Sequence, residues 1–272
     1  MMFVLLGFVI LLVFMGVIVL YKYQEKFIFL PDKLDSAFKF EFDAKFEEKF
    51  IKTSDNEVLH GLLFKCENSR GVVFYLHGNQ GAMNSWGFLY NVYLERQYDL
   101  FILDYRGYGK SSGRITNENQ LLSDSEAAYR YLAGIYPEDK IVVIGHSLGT
   151  CPAAYIASKH KPGLLILLSP YYSFKKLVNF KYPAIPDFLI RYNLPTYQYI
   201  KDVNCPVAIF HGRQDNLIPP GMALSLKDLA KLTDKAFILD NLGHNGMNQN
   251  ADFLQQLDSL LTEHQQLIQP YQ

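Results

Sequence analysis

The sequence predicts an α/β domain with a mostly parallel central sheet, and two observations lead to this fold class. Short apolar runs alternate with longer amphipathic stretches, as strands and helices do when a parallel sheet is covered on both faces. The 272 residues have the composition of a folded globular chain, with 49 % hydrophobic residues. The 26 basic and 27 acidic side chains nearly cancel, so nothing in the charge supports a nucleic-acid partner.

The first element is an apolar segment at the N-terminus. Residues 1–21 contain no charged side chain, and as a helix they would reach roughly 30 Å, the thickness of a bilayer's hydrocarbon core. A cleavable signal peptide would need a basic start, a shorter apolar core and a small-residue cleavage site, and a buried core helix would be shorter. The sequence therefore predicts a single-pass transmembrane anchor, with the lipid bilayer as partner.

The residues after this segment indicate on which side of the membrane the following domain lies. Residues 22–39 form a juxtamembrane segment that carries Lys22, Lys26, Lys33 and Lys39, whereas no Lys or Arg precedes the anchor. By the positive-inside rule the following domain lies on the cytoplasmic side. The chain has three cysteines, Cys66, Cys151 and Cys205. Their odd number and spacing fit neither a disulfide framework nor a metal site, so they are predicted to be buried structural thiols.

The remaining residues, 40–272, are predicted to form one domain. It opens with an antiparallel hairpin at the sheet edge, because residues 40–66 contain a turn at 54–56 followed by an alternating run at 58–64. Six short β-rich runs bounded by turn residues are predicted strands: 72–76, 100–103, 141–144, 164–168, 207–210 and 236–239. Apolar residues at helical spacing predict helices across 121–132 and 253–261.

A Gly-x-Ser-x-Gly motif follows the strand at 141–144. It runs from Gly145 to Gly149 with Ser147 at its centre, and a stretch that suits a helix comes next. Such a sharp strand-to-helix turn exposes a serine hydroxyl above the end of the sheet, where chemistry gathers in parallel sheets. The sequence therefore predicts that Ser147 is a nucleophile, and the alternative is a serine that only caps a helix.

A serine nucleophile needs a base and an orienting carboxylate. Asp215 follows the strand at 207–210 and His244 follows the strand at 236–239, so the three residues occur in the order Ser, Asp, His. Asp240 is the main rival for the acid. Asp215 is preferred because a proline pair that begins a new helix leaves it on the strand-end loop. A turn-forming aspartate and a surface histidine remain as alternatives.

The loop after the first parallel strand is the expected source of an oxyanion hole. The backbone N–H of Asn79 would act with that of Leu148, the residue after the nucleophile, to stabilise a tetrahedral oxyanion. Gln80 is the neighbouring alternative to Asn79. His77 is predicted to be structural, because a second base has no part in this chemistry.

The glycine-rich segment at residues 104–113 is similar to a phosphate loop but fails both known patterns. A P-loop needs glycine where Asp104 stands, and a dinucleotide fingerprint needs glycine or alanine at Ser112. The segment is therefore predicted to be a structural turn beside the site. We also find no cluster of Arg or Lys in the sequence that would mark a phosphate or carboxylate site.

Taken as a set, the motifs resemble those of α/β-hydrolase-fold serine hydrolases. They are HGNQGAM from His77, DYRGYGKSSG from Asp104, GHSLGT from Gly145, HGRQDNLIPP from His211 and LGHNG around Gly243. The most similar subset is the membrane-anchored α/β-hydrolase-domain proteins related to serine aminopeptidase-like hydrolases, whose juxtamembrane segment is similar to QEKFIFLPDKL. The resemblance implies an α/β-hydrolase fold and an esterase, thioesterase or lipase-like activity, with no metal or organic cofactor.

An aromatic-rich insert at residues 170–204 is expected to form a short lid. Its aromatic side chains are Tyr171, Tyr172, Phe174, Phe180, Tyr182, Phe188, Tyr192, Tyr197 and Tyr199. They either line an acyl pocket or only pack the lid onto the domain. The leading function is hydrolysis of ester or thioester bonds in acyl-bearing substrates. The alternatives are a peptidase for short peptides and a non-catalytic, membrane-tethered binding module.

Overall fold

Ten strands account for the sheet structure of the residues that the structure describes. The computed structural model describes residues 2–231 and 233–268, without the side chains of residues 9, 10 and 13. The strands are β1 (Leu30–Pro31), β2 (Phe46–Lys52), β3 (Val58–Phe64), β4 (Val72–Leu76), β5 (Gln80–Gly81), β6 (Asp99–Asp104), β7 (Ile141–His146), β8 (Leu164–Leu168), β9 (Val207–Gly212) and β10 (Lys235–Leu239). Eight of them form one sheet in the order β10-β9-β8-β7-β4-β6-β3-β2. In this sheet β3 pairs antiparallel with β2 and with β6, and all other neighbouring strands, including β6 with β4, pair parallel.

Helices fill most of the connections between these strands. They are α1 (Met2–Lys22), α2 (Glu25–Ile28), α3 (Met83–Trp86), α4 (Tyr90–Leu94), α5 (Glu118–Ala133), α6 (Thr150–Lys159), α7 (Phe174–Lys181), α8 (Thr196–Tyr199), α9 (Pro220–Lys227) and α10 (Ala251–Ile268). Side-chain caps fix three of their starts, at α5, α7 and α10. Asn117, Ser173 and Asn250 accept hydrogen bonds from the N–H groups of Gln120, Lys176 and Phe253, respectively.

The sheet separates two apolar layers. Along β4, Val72 and Phe74 belong to one layer, and Val73 and Tyr75 belong to the other, as the two-residue period of a strand requires. The first layer holds side chains of α5, α6 and α9, and the second holds side chains of α4 and α10. Because both faces are covered, the central strands are completely buried, which explains their continuous apolar runs.

The predicted fold class is confirmed for the domain. All six predicted strands are present, and their ends lie within two residues of the expected ones. Strands β2 and β3 form the predicted antiparallel hairpin at the sheet edge. One smaller prediction was wrong: Cys66 is only half-buried, because it lies two residues past β3 in the surface loop that leads to β4, whereas Cys151 and Cys205 are buried.

The N-terminal helix α1 extends over 21 residues, and its described side chains other than that of Val17 are exposed. Within the part of the chain that the structure describes, no helix is long and apolar enough to cross a membrane. The predicted anchor at residues 1–21 includes Met1 and the side chains of residues 9, 10 and 13, which lie outside the described part. The described residues therefore do not support the predicted transmembrane helix.

The segment after α1, predicted to be juxtamembrane, is packed onto the domain. Strand β1 pairs with β5 in parallel, next to the loop of Asn79. The carboxylate of Glu25 accepts a hydrogen bond from the Tyr192 hydroxyl at 3.0 Å and forms an ion pair with Arg191 at 2.8 Å. The backbone N–H of Arg191 also donates to the Gln24 side chain at 3.0 Å. These contacts fix the end of α1 to the lid insert.

Candidate active site

The nucleophile candidate lies on a sharp turn at the carboxyl end of β7. Ser147 has a backbone φ of 51°, a left-handed conformation that is uncommon for a residue other than glycine. A Cβ on Gly145 would lie 2.4 Å from the Gly149 carbonyl oxygen, and a Cβ on Gly149 would lie 2.0 Å from the Leu76 carbonyl oxygen. Both flanking positions therefore require glycine, because β4 and the start of α6 approach the turn so closely.

The structure brings the three predicted catalytic side chains together. His244 Nε2 lies 3.1 Å from Ser147 Oγ, and His244 Nδ1 lies 2.8 Å from Asp215 Oδ2. Asp215 is buried, and His244 is partly accessible. This hydrogen-bonded chain has the connectivity in which a histidine can accept a serine proton while a carboxylate stabilises the resulting imidazolium.

The rival acid, Asp240, lies elsewhere. Its side chain is exposed and forms a surface ion pair with Arg213. The chain direction at the end of β10 explains this, since Asp240 comes one residue after the strand and His244 only four residues later, beyond a turn. Asp240 therefore has no contact with the His244 ring.

Several hydrogen bonds keep Asp215 ionised. Burial by itself would raise the pKa of the carboxyl, but hydrogen bonds from His211, His244 and the Ile218 N–H outweigh it and hold the pKa well below its usual range. Asp215 Oδ1 accepts the backbone N–H groups of Leu217 and Ile218 at 2.9 and 2.8 Å. His211 Nε2 lies 3.1 Å from Asp215 Oδ2 and 2.8 Å from the Ile218 carbonyl oxygen. His211 therefore positions the carboxylate, a role that the sequence analysis did not assign to it.

The predicted oxyanion donors border the same cavity as Ser147. Asn79 and Leu148 both line it together with Ser147, whereas Gln80 does not. The loop of Asn79 is held from the neighbouring segment, because the Tyr108 hydroxyl donates to the Asn79 carbonyl oxygen at 2.7 Å and the Tyr105 hydroxyl donates to that of His77 at 2.8 Å.

The glycine-rich segment 104–113 thus has a definite task. Its two tyrosines, Tyr105 and Tyr108, hold the loop that carries the predicted oxyanion donor. The sequence analysis had described this glycine-rich segment only as a turn. His77 is fully buried and stacks on Trp86 with ring centroids 5.5 Å apart, in agreement with a structural role.

An apolar cavity of about 310 Å³ opens in front of Ser147. Its walls include Tyr171, Phe174, Leu177 and Tyr182 of the lid insert, together with Phe27 of α2. Other lid aromatics only pack: Tyr172 stacks on Tyr197 with centroids 4.7 Å apart. Some lid aromatics therefore line the cavity, and others only pack the insert onto the domain. The described residues that line the cavity include no carboxylate.

His146 makes folding stability depend on pH. Burial and the neighbouring His244 lower the pKa of His146 to about 3, far below its value in an unfolded chain. Its contribution is therefore complete above pH 6.5 and is lost as the pH falls towards 3, at about 1.4 kcal/mol per pH unit. We expect the free energy of unfolding in urea to fall less steeply between pH 6.5 and 4 in His146→Phe than in the wild type. Parallel curves would contradict this account.

Comparison with known proteins agrees with the fold. Residues 71–170 match the family model described as the alpha/beta hydrolase fold. The chain is 30 % identical over 221 residues to alpha/beta hydrolase domain-containing protein 17C of Xenopus tropicalis, covering 78 % of this chain and 68 % of that protein. Human alpha/beta hydrolase domain-containing protein 17B is 28 % identical, with coverage of 78 % and 74 %. For the Caenorhabditis elegans relative aho-3, at 28 % identity, the alignment covers 76 % of this chain but only 62 % of that protein.

Solved structures show the same architecture. An esterase of Pyrococcus furiosus superposes with a TM-score of 0.67 at 21 % identity, covering 87 % of this chain and 96 % of the esterase. The thioesterase domain of the curacin biosynthetic pathway superposes with a TM-score of 0.59 at 16 % identity, covering 80 % of this chain and 99 % of that domain. At these identities the likeness establishes the fold.

Proposed function

The chain belongs to the α/β-hydrolase-domain protein family of serine hydrolases, and from this membership we propose that it cleaves ester or thioester bonds in substrates that carry an acyl chain. The hydrogen-bonded series Ser147, His244 and Asp215 at the mouth of an apolar cavity is the observation that carries the proposal. A binding module without catalysis would have no need for this series.

The proposed reaction proceeds in two steps. Ser147 Oγ attacks the acyl carbonyl carbon while His244 Nε2 takes the hydroxyl proton, and the backbone N–H groups of Asn79 and Leu148 stabilise the oxyanion. His244 then gives the proton to the leaving alcohol or thiol, which leaves an acyl group on Ser147. A water molecule repeats the attack, with His244 again as the base, and releases the carboxylic acid.

The cavity favours an acyl chain over a peptide. Its described lining is made mostly of aliphatic and aromatic side chains, and its one charged residue is Lys181. A peptidase for short unblocked peptides would need a carboxylate to bind the free amine, and Lys181 would repel that amine. Transfer of each CH₂ group from water into such a pocket contributes about 0.8 kcal/mol.

We expect kcat/KM on soluble esters to rise with acyl length by up to about fourfold per CH₂ until the cavity is full. Leu177 lies in the cavity wall, so Leu177→Trp should fill the space and lower kcat/KM for the longer esters at least about tenfold while leaving acetyl esters almost unaffected. Leu224→Trp, on the exposed face of α9, is the matched control and should keep the wild-type profile. Equal loss on esters of every length, or a preference for peptides, would contradict the acyl pocket.

The proposal includes attachment to a membrane through α1. The support is an apolar helix whose described side chains, except that of Val17, are exposed and whose C-terminal end is fixed to the lid. Phe27, which lines the cavity and is 64 % exposed, comes only five residues after α1, so the cavity would open near the lipid surface. The lysines that follow α1 favour the cytoplasmic side for the domain.

We expect the full chain to stay with membranes after carbonate extraction, and a chain lacking residues 1–23 to be released. The shortened chain should keep its activity on soluble short esters and lose activity on acyl substrates embedded in vesicles, because α1 no longer brings the cavity to them. Equal activity of both chains on vesicle-borne substrates would contradict the link between attachment and catalysis.

A further inference from the structure

A second cavity, of about 560 Å³, lies where α1 meets the domain. Helix α2 separates it from the cavity in front of Ser147, since Phe27 and Ile28 line one cavity and Glu25 and Lys26 line the other. Six cationic side chains line this second cavity: Lys22, Lys26, Lys33, Arg106, Arg114 and Arg191. The described lining contains one carboxylate, that of Glu25.

Two of the six cations are already neutralised. Arg106 forms ion pairs with Asp55 at 2.6 Å and with Asp124 at 2.8 Å. Arg191 forms an ion pair with Glu25 at 2.8 Å. The single carboxylate of the lining is therefore engaged as well, and these two arginines serve as fixed walls of the cavity.

The other four cations give the cavity its positive charge. Among the residues that the structure describes, Lys22, Lys26 and Arg114 have no carboxylate within ion-pair distance, and Lys33 donates to the Ser111 carbonyl oxygen at 3.1 Å. The ammonium groups of Lys22 and Lys26 lie 5.9 and 5.1 Å from the centroid of the Tyr23 ring, so both lie beside the same lining residue.

Two carboxylates, those of Asp32 and Glu57, lie next to lining residues of the second cavity without lining it themselves. Asp32 lies between the lining residues Pro31 and Lys33, and Glu57 accepts a hydrogen bond from the Ser112 hydroxyl. Arg106 is paired with two carboxylates, so that cluster carries one negative charge in excess. Together with Asp32 and Glu57 it offsets three of the four free cations, and the cavity keeps a small surplus of positive charge. A concave, cationic site that lacks its own anion suits a phosphate group.

We propose that this cavity binds the anionic headgroup of a membrane phospholipid. Lys22 is the last residue of α1, so if α1 enters the bilayer as in the proposed function, the cavity lies at the depth of the lipid phosphates. A bound headgroup would contact α2 from one side while a substrate contacts it from the other, and it would hold the catalytic cavity against the membrane. The site itself does not depend on ester hydrolysis.

Native mass spectrometry of the full chain tests this, with the protein released from neutral-detergent micelles that contain phosphatidic acid or phosphatidylcholine. We expect one phosphatidic acid per chain, bound saturably, and no such adduct with phosphatidylcholine. The triple variant Lys22→Gln, Lys26→Gln, Arg114→Gln should raise the half-saturating lipid concentration about tenfold or more. The matched control is Lys140→Gln, Lys159→Gln, Lys161→Gln, and it should bind as the wild type does. Its exposed lysines lie near the amino-terminal ends of β7 and β8, whereas Arg106 and Arg114 of the second cavity follow the carboxyl end of β6.

Competition with a soluble phosphate ester distinguishes a lipid headgroup from a free anion as the ligand. Glycerol phosphate at the same concentration should not displace phosphatidic acid; displacement would mean that the site takes free phosphate esters, which would overturn the proposal. The proposal would also be overturned if both triple variants bound phosphatidic acid equally weakly, or if the wild-type chain formed no adduct with it. Hydrolysis of a short soluble ester should be the same in all variants, so failure of this site and failure of the proposed function are distinguishable.

Discussion

Replacing Ser147 by alanine is expected to lower kcat on a short soluble ester by about 10⁶-fold, close to the rate left by binding and oxyanion donors alone. The reason is that the substitution removes the atom that would form the acyl-enzyme bond, and His244 then has no hydroxyl at 3.1 Å to deprotonate. Alanine carries a Cβ like serine, so the strained φ of 51° stays and the fold should persist. Steady-state kinetics together with thermal unfolding check both parts.

The matched control is Ser158→Ala in α6, where the hydroxyl bonds only to the Tyr155 carbonyl oxygen of its own helix. This variant should keep the wild-type kcat. If Ser147→Ala retained substantial turnover while folded, another group would be the nucleophile and the proposed mechanism would be wrong.

Asp215→Asn is expected to lower kcat by about 10⁴-fold with little change in KM. An asparagine can keep accepting the Leu217 and Ile218 N–H groups, so the loop should hold its shape. Its amide cannot stabilise an imidazolium at His244, however, and an amide NH₂ facing Nδ1 favours the wrong tautomer of the ring.

Asp240→Asn is the control for this substitution, because Asp240 pairs with Arg213 on the surface. It should change kcat by less than about twofold, as expected for an exposed ion pair of small energetic weight. The opposite result, with Asp240→Asn inactive and Asp215→Asn active, would reverse the assignment of the acid.

The sequence predicted the parts of the fold that follow from local pattern. Continuous apolar runs identified the buried strands, and the glycines at 145 and 149 predicted the close turn at Ser147, because both signals lie within a few residues. The placement of Asp215 and His244 was also predictable, since each follows a strand that must end at the same edge of a parallel sheet.

Contacts between distant segments were not predictable in this way. The tyrosines at 105 and 108 hold a loop about 30 residues away, and no local pattern announces their hydroxyl partners. Our sequence analysis found no basic cluster, yet the second cavity gathers cations from residues 22–33, 106–114 and 191. Such sites become visible only when the topology brings separate segments to one place.

Labelling with a fluorophosphonate probe, followed by peptide mass spectrometry, tests the central claim most directly. If His244 activates Ser147, the phosphorus should be found on the peptide that contains Ser147, with one adduct per chain, and labelling should be nearly absent in Ser147→Ala and strongly slowed in His244→Ala. An unlabelled, folded wild-type chain, or an adduct on a different residue, would contradict the account.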